Sequence, residues 1–449
     1  MKKSKTVFIC SSCGNRSIKW QGKCPECDGW NTFVEEKEET GKSVAAAASG
    51  TSKRTVSLKE ISTNDKERIK TFIDEFDRVL GGGILPGAVV LLGGEPGIGK
   101  STLVLQAAAA LEQKVLYVTG EESLTQIKLR AERLKVKQDT QMLSENMLGS
   151  ILSTAEEIKP SVLIVDSIQT VYNTELENSP GTVTQIRECT YSLMEFAKRT
   201  GVAVIIIGHV TKDGSIAGPK ILEHMVDTVL QFEGNSNHSY RIIRALKNRF
   251  GSTNEIGIFE MHEEGLIEVR NPSELFISNA DKQLSGSVVT ASVEGTRPIL
   301  LEVQSLVSST AFGYPQRVCN GFDTKRLAML LAVLEKRGGR QLSNNDVFLN
   351  IAGGIRIEEP AADLAVCVAV VSALSDKPVK PKTVVIGEVG LGGELRAVSA
   401  IEKRLQECEK LGFQNVVLPA ANLKKFYYKG KIHLLPCETL QQALYETLH

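Results

Sequence analysis

Apolar residues in this chain come in short runs, and their lengths sort them into strands and helices. Residues 202–207 form a run of strand length and 364–374 one of helix length. Neither reaches the roughly 18 residues that a membrane-spanning helix needs. Between 71 and 270 such runs alternate with helix-patterned segments. Residues 88–92, 115–118, 161–166 and 202–207 read as strands. Residues 101–111 read as a helix, and Ile186, Cys189, Leu193 and Ala197 mark the face of another. Continuous apolar strands separated by helices predict a parallel sheet covered on both sides, an α/β fold. Three further strand-like runs, 228–232, 240–246 and 256–261, are expected to extend it antiparallel. Beyond Asn271-Pro272 the pattern becomes α+β: strands at 288–293 and 299–307, helices at 325–336, 360–375 and 399–411.

The chain ahead of the sheet has another character. Residues 1–34 hold four cysteines and both tryptophans, with six Lys and Arg against Glu26 and Asp28. Residues 35–70 open on Glu35, Glu36, Lys37, Glu38 and Glu39 and pass into an Ala, Ser, Thr and Gly stretch, the composition of a linker. Four segments result: 1–34, a linker at 35–70, 71–270 and 271–449. Over 449 residues Lys and Arg number 53 and Asp and Glu 53, so any basic surface must be local. Lys2, Lys3 and Lys5 precede too short an apolar patch for a secretion signal. A cytoplasmic protein with no membrane partner is expected.

Cys10-x2-Cys13, ten residues, then Cys24-x2-Cys27 is the spacing of two metal knuckles. Four thiolates around one ion match tetrahedral zinc, with a redox dithiol pair as the alternative. Trp20, Trp30 and Phe33 are expected to form a miniature core around the ion. Lys19 and Lys23 beside Trp20 could meet nucleic acid or a protein.

Gly94-Glu95-Pro96-Gly97-Ile98-Gly99-Lys100-Ser101 follows a strand and opens a helix, which is the setting of a phosphate-binding loop. Its glycines let backbone N–H groups curl around phosphate, and the helix N-terminus favours the anion. Residues Gly94 to Thr102 are the expected ATP contacts. Lys100 would pair with the β- and γ-phosphates and Ser101 would take Mg²⁺. Asp166 ends the apolar strand at 162–166 and would support the Mg²⁺ shell. Hydrolysis needs a group to orient water. The 115–118 strand is expected beside the nucleotide strand, so Glu121 at its end, with Glu122 close behind, could reach the attacking water; a solvated first-turn acid is the other reading. His209 ends the 202–207 strand where a γ-phosphate sensor could sit, or is an ordinary surface histidine. Lys247 and Arg249, two apart in Lys247-Asn248-Arg249-Phe250-Gly251, form either a surface patch or fingers that reach a neighbouring subunit's ATP.

Taken together, the zinc module, the loop Gly94 to Ser101, Leu246-Lys247-Asn248-Arg249-Phe250-Gly251 and Gly208-His209-Val210-Thr211-Lys212-Asp213-Gly214 resemble the bacterial RadA (Sms) family over nearly the whole chain. The resemblance implies a RecA-like P-loop ATPase core, assembly as a hexameric ring, binding of single-stranded and branched DNA, branch migration, and work alongside a RecA-type recombinase. It implies a role for Lys247 and Arg249 either across the subunit interface or on DNA. It also places DNA loops at 173–184 and 211–223, with Lys212 and Lys220 as phosphate contacts.

Residues 360–374 and 387–405 resemble the protease domain of Lon-type enzymes. Where that family carries its Ser, this chain has Ala361; where it carries its Lys, this chain has Glu402. Ala361 has no nucleophilic oxygen and Glu402 no amine to activate one. Lys403 is one residue away, turned about 100° around a helix. The fold is expected to persist without the reaction, leaving assembly and DNA binding; Arg297, Lys325, Arg326, Arg337, Arg340 and Arg356 form either a basic surface or, with acids interleaved, an ordinary solvated face. The function expected is an ATP-driven DNA motor of recombination and repair. The rivals are a regulatory RecA-fold ATPase without DNA and, last, an ATP-dependent Ser-Lys protease.

Overall fold

The apolar runs of the first half meet in one nine-stranded sheet. In this computed structural model the described residues are 4–10, 15–26, 28–39, 67–136, 140–209, 221–234, 240–253, 255–277, 284–310 and 313–448. They divide into two units, Met1–Glu268 and Val269–His449.

The first unit begins with a small antiparallel sheet of β1 (Ser4–Cys10), β2 (Arg16–Ser17) and β3 (Phe33–Glu39), in the order β2-β1-β3. The acidic run expected to open the linker is therefore strand, paired along its length with β1. Cys10, Cys24 and Phe33 pack in a small cluster with Phe8. The tryptophans do not join it: Trp20 is 54% exposed and Trp30 72%. The expected aromatic core is thus Phe33 alone, and the indoles face solvent.

After helix α1 (Asp74–Val79) come β4 (Val89–Gly94), α2 (Lys100–Ala110), β5 (Val115–Thr119), α3 (Leu124–Arg133), β6 (Gln141–Ser144), α4 (Leu148–Ile158), β7 (Val162–Asp166), α5 (Val183–Thr200) and β8 (Ala203–His209). The unit closes with α6 (Ile221–Met225), β9 (Thr228–Glu233), β10 (Tyr240–Asn248), β11 (Ile256–His262) and β12 (Gly265–Glu268). Strand order is β12-β11-β10-β9-β4-β8-β7-β5-β6. β9 runs parallel to β4, so the antiparallel extension starts one strand later than expected, at β10. Alternation along each strand feeds two cores. Val90 and Leu92 pack with α2 on one face, and Val89 and Leu91 with α4 and α5 on the other. The predicted helical face (Ile186, Cys189, Leu193, Ala197) is wholly buried in the second core. Among the described residues no helix is long and apolar enough to cross a membrane.

The second unit holds α7 (Pro272–Phe276), β13 (Ser287–Glu294), β14 (Arg297–Ser309), β15 (Arg317–Asn320), α8 (Thr324–Lys336), β16 (Asn345–Ile351), α9 (Asp363–Ser375), β17 (Thr383–Val385), β18 (Glu388–Val389), β19 (Leu395–Arg396), α10 (Ile401–Lys410), β20 (Asn415–Pro419), β21 (His433–Cys437) and α11 (Leu440–Leu448). Seven strands form a mixed sheet in the order β15-β16-β14-β13-β17-β20-β21, and β18 pairs β19 as a hairpin. α9 is apolar all round and is buried from Asp363 to Ser372, as a central helix must be.

Two ion pairs flank the position expected to have lost its Ser. Arg404, with no exposed surface, grips Glu359 through Nη1–Oε1 (2.5 Å) and Nη2–Oε2 (2.8 Å) and also donates to the carbonyls of Ser399 and Ala291. Arg326 grips the buried Asp363 through Nε–Oδ1 (2.5 Å) and Nη2–Oδ2 (2.6 Å). Ala361 lies between the two acids, 3% exposed, and Glu402 is exposed on α10. Arg326 is thereby removed from the expected basic surface, and Arg356 is paired with Glu358.

Removing one member of a buried pair leaves the other charge uncompensated. Arg404→Ala is expected to destabilise the second unit by about 3 kcal/mol, measured by urea unfolding, whereas Lys403→Ala, on the exposed side of α10, leaves the midpoint unchanged.

Candidate functional site

β4 ends in Gly93-Gly94 and α2 starts at Lys100, so residues 95–99 make the whole turn from strand to helix. Two glycines are required here, Gly94 by space and Gly99 by its backbone conformation. A Cβ on Gly94 would sit 2.9 Å from both the Cβ and the carbonyl oxygen of Phe232. Gly99 has φ of 118° and a Cβ there would meet the Met261 Cε at 2.8 Å. Ile98 is buried and pins the loop into the core, while Glu95, Pro96 and Gly97 stand exposed. Ser101 and Thr102 are half-buried in the first turn of α2. The arrangement is a cradle of backbone N–H groups at a helix N-terminus, which suits a phosphate.

Lys100 lies folded back into this cradle, 4% exposed. Its Nζ donates to the carbonyls of Gly94 (2.8 Å) and Glu95 (2.9 Å) and to His209 Nδ1 (3.3 Å). Burial lowers its pKa to about 8, against the pull of Asp166, Glu121 and Glu95, which raise it. With Nδ1 accepting from an ammonium, the His209 proton belongs on Nε2, and Nε2 lies 3.1 Å from Glu121 Oε1. Ser167 Oγ donates to that same oxygen. Burial pushes the Glu121 carboxyl upward, but the hydrogen bonds from Ser167 and His209 and the nearby Lys100 charge together hold it below its ordinary value. Lys100, His209, Glu121 and Ser167 thus form one hydrogen-bonded chain.

The route by which Glu121 arrives differs from the expectation. β5 does not lie beside β4: β8 and β7 separate them. Glu121 instead reaches across the ends of both strands, to Ser167 after β7 and His209 at the end of β8. Glu122 turns away and pairs with Arg130 on α3. Of the two acids named from sequence, Glu121 is the one brought to Lys100. Asp166 ends β7 opposite Thr119, and its Oδ2 accepts a 2.5 Å hydrogen bond from the buried Tyr117 hydroxyl.

Lys247 and Arg249 are not brought to this cluster. β10 runs antiparallel to β9 with Asn248 opposite Thr228, and Thr228 lies beside Val90, whereas Gly94 lies beside Phe232. The pair therefore sits at the sheet edge remote from its own phosphate loop. There Lys247 Nζ caps the end of α6, donating to the carbonyls of Glu223 (2.8 Å), His224 (3.0 Å) and Val226 (2.8 Å). Arg249 Nη1 lies 3.4 Å from Asp227 Oδ1, whose other oxygen accepts from the Val89 amide at the start of β4. Lys212 and Lys220 lie outside the described residues. The loop ahead of α5 is stapled by the buried Gln185 amide, which donates to the carbonyls of Asn173 (3.1 Å) and Asn178 (2.8 Å). It carries Glu175 and Glu177 and no cation.

At the knuckles, Cys10 N donates to Asn15 O (2.9 Å) and Cys24 N to Gly29 O (2.8 Å), each bond joining residues five positions apart. Both thiols are buried in one cluster, which is the donor chemistry of a thiophilic ion. Cys13 and Cys27 lie outside the described residues.

Sequence reasoning passed over Tyr117, Ser167, Asp227 and Gln185. Ser167, Asp227 and Gln185 sit at strand ends or a helix start, and Tyr117 is in the middle of β5. A polar side chain interrupting a buried strand, as Tyr117 does, was the available sign.

Three family models match the chain: a rubredoxin metal-binding domain over residues 8–35, an AAA domain over 52–215, and the ChlI subunit of Mg-chelatase over 324–422. A crystal structure of the RadB recombinase matches 45% of this chain and all of that one, at 23% identity and a TM-score of 0.37. Among curated proteins, the DNA repair protein RadA of Bacillus subtilis is 51% identical over the full length of both chains, and that of Halalkalibacterium halodurans 50%. RadA of Listeria monocytogenes is 49% identical over 99% of each. With a RecA-like ATPase core, an N-terminal metal ribbon and a Lon-protease-like C-terminal domain, the chain belongs to the RadA family of bacterial DNA repair proteins.

Proposed function

We propose that this protein is an ATP-driven DNA motor of homologous recombination and repair. It binds single-stranded DNA and promotes branch migration of recombination intermediates, as a homo-hexamer in the cytoplasm beside a RecA-type recombinase. The observation that carries the reading is the chain from Lys100 through His209 and Glu121 to Ser167, set at the strand ends around Asp166 in a member of the RadA family.

In this reading Gly94 to Thr102 wrap the triphosphate, and the Lys100 ammonium leaves the loop carbonyls for the β- and γ-phosphate oxygens. Ser101 and Asp166 hold Mg²⁺, which when bound neutralises charge developing on the transferred phosphoryl group. Glu121, kept ionised, orients the attacking water. His209 lies between Glu121 and Lys100 and ends the strand that runs into the 211–223 loop, so it senses whether Lys100 is engaged. Lys212 and Lys220 in that loop contact DNA phosphates. Lys247 and Arg249, remote from their own loop, reach the ATP of the next subunit, or DNA. Cys10, Cys13, Cys24 and Cys27 hold zinc. The C-terminal domain, with Ala361 and Glu402 in the two reactive positions, serves assembly and DNA binding rather than proteolysis.

Steady-state ATP hydrolysis with and without single-stranded DNA, at fixed salt, tests this reading. Stimulation by DNA is expected in the wild type and no turnover in Lys100→Ala. A rate indifferent to DNA, with no DNA binding in anisotropy, would turn the assignment to a regulatory ATPase. Mixing Arg249→Ala with Lys100→Ala subunits is expected to restore hydrolysis above either variant alone. No recovery in rings of equal size would leave Arg249 to DNA.

The Lys100 pKa sets a pH dependence. Phosphate favours the ammonium, so binding raises a pKa that is about 8 in the free protein. Affinity for ADP is therefore expected to weaken as pH rises above about 8, approaching tenfold per unit. Lys100→Arg, charged throughout, should bind with a flat profile. Calorimetric titration across this range decides between the two shapes.

A further inference from the structure

We propose that Tyr117 is a positioning residue for magnesium: its phenol fixes the carboxylate of Asp166 in the orientation that receives the Mg²⁺ shell. The inference rests on the reading of Asp166 given above and adds a residue that the P-loop and Asp166 motifs do not contain.

Tyr117 is in the middle of β5, 1% exposed, in the core cluster that includes Ile164 and the α2 side chains. β5 and β7 are direct neighbours with Tyr117 opposite Ile164 and Thr119 opposite Asp166. Side chains alternate along a strand, so Tyr117, Ile164 and Asp166 share the face toward α2 and the phosphate loop. From there the hydroxyl donates to Asp166 Oδ2 at 2.5 Å. Among the described residues no other hydrogen bond to the Asp166 side chain is seen. An aliphatic residue or Phe would satisfy the core at position 117, because nothing else there requires a hydroxyl. A buried phenol must find a partner, and the partner here is the acid on which metal binding depends.

The physical consequence follows from how a carboxylate at a strand end behaves. Its χ2 torsion is broad, so an unsupported Asp166 would sample orientations that point neither oxygen at the metal shell. A neutral donor on Oδ2 removes that freedom and leaves Oδ1 for the metal-bound water. It does so without a competing positive charge. Partners that orient a metal-supporting carboxylate in this way change metal affinity by roughly 10–100-fold when removed. The same strand also carries Glu121 at its end, so β5 supplies both the acid beside Lys100 and the support for Asp166.

The test compares full-length wild type, Tyr117→Phe and Asp166→Asn by binding of a fluorescent ADP analogue, in excess EDTA and across a Mg²⁺ titration. Tyr117→Phe is expected to match wild type in EDTA and to need roughly tenfold more Mg²⁺ for half-maximal enhancement. In hydrolysis its deficit should appear at low Mg²⁺ and close at high Mg²⁺. A Mg²⁺ curve that coincides with wild type, or moves to lower Mg²⁺, overturns the proposal. If Asp166→Asn also leaves the Mg²⁺ curve in place, the fault lies in the reading of Asp166 and not in Tyr117 alone. Should Tyr117→Phe unfold, 4-fluorophenylalanine at position 117 fills the para position without a donor, and 4-aminophenylalanine restores one. The first must show the shift and the second must abolish it.

Discussion

The first unit is organised around a buried charge. Lys100 is held inside the turn between β4 and α2, and its ammonium must be paid for in hydrogen bonds. Two loop carbonyls and one imidazole supply them in the free protein. That requirement fixes much else. The loop must curl tightly enough to offer carbonyls inward, which demands glycine where Phe232 and Met261 press against it. His209 must present an acceptor, so its proton faces Glu121, and Glu121 must be ionised to receive it. A phosphate arriving at the loop would compete for the same ammonium. One cation cannot satisfy both sets of acceptors at full strength.

Strand order explains why this is possible. β4 is flanked by β8 and β9, so the end of β8 delivers His209 directly beside the loop. β7 and β5 follow outward, and each places a functional group at the same edge of the sheet: Asp166 and Ser167, then Glu121. A parallel sheet gathers strand ends on one side, which is where such folds bind ligands. The antiparallel strand β10 delivers its end to the opposite edge, and Lys247 and Arg249 go with it. There they hold the segment between α6 and β9, and Asp227 links that segment to the first residue of the nucleotide strand. A displacement of α6 would therefore be felt at the start of β4 through side chains that never approach the phosphate loop.

What could be read from the sequence was what local pattern encodes. Continuous apolar runs announced β4, β5, β7 and β8, and the helical face of α5 was legible from Ile186, Cys189, Leu193 and Ala197. Lys100 and Asp166 were legible because their chemistry needs fixed neighbours in sequence. Strand order was not, since pairing of β4 with β8 joins residues more than a hundred positions apart. For that reason β5 was placed beside β4, and the direction of β9 was missed. Trp20 and Trp30 differ for another reason: a large aromatic in a small module implies a core, but a module built on buried cysteines and two phenylalanines has little interior to offer. Tyr117 carries a sign in sequence that is easy to pass over, because a tyrosine in a buried strand looks like packing until its hydroxyl is seen to have a partner.

The C-terminal unit shows the same accounting of buried charge with the opposite outcome. Glu359 and Asp363 flank Ala361 in sequence, and each is locked bidentately by an arginine from another helix, Arg404 of α10 and Arg326 of α8. A Ser-Lys pair works only if the amine is uncharged near neutral pH, whereas the two guanidiniums that hold these acids stay charged. Their rigidity serves a different end. Arg404 joins α10 both to the Glu359 turn and to the Ala291 carbonyl of β13, so helix, turn and sheet are held at one point.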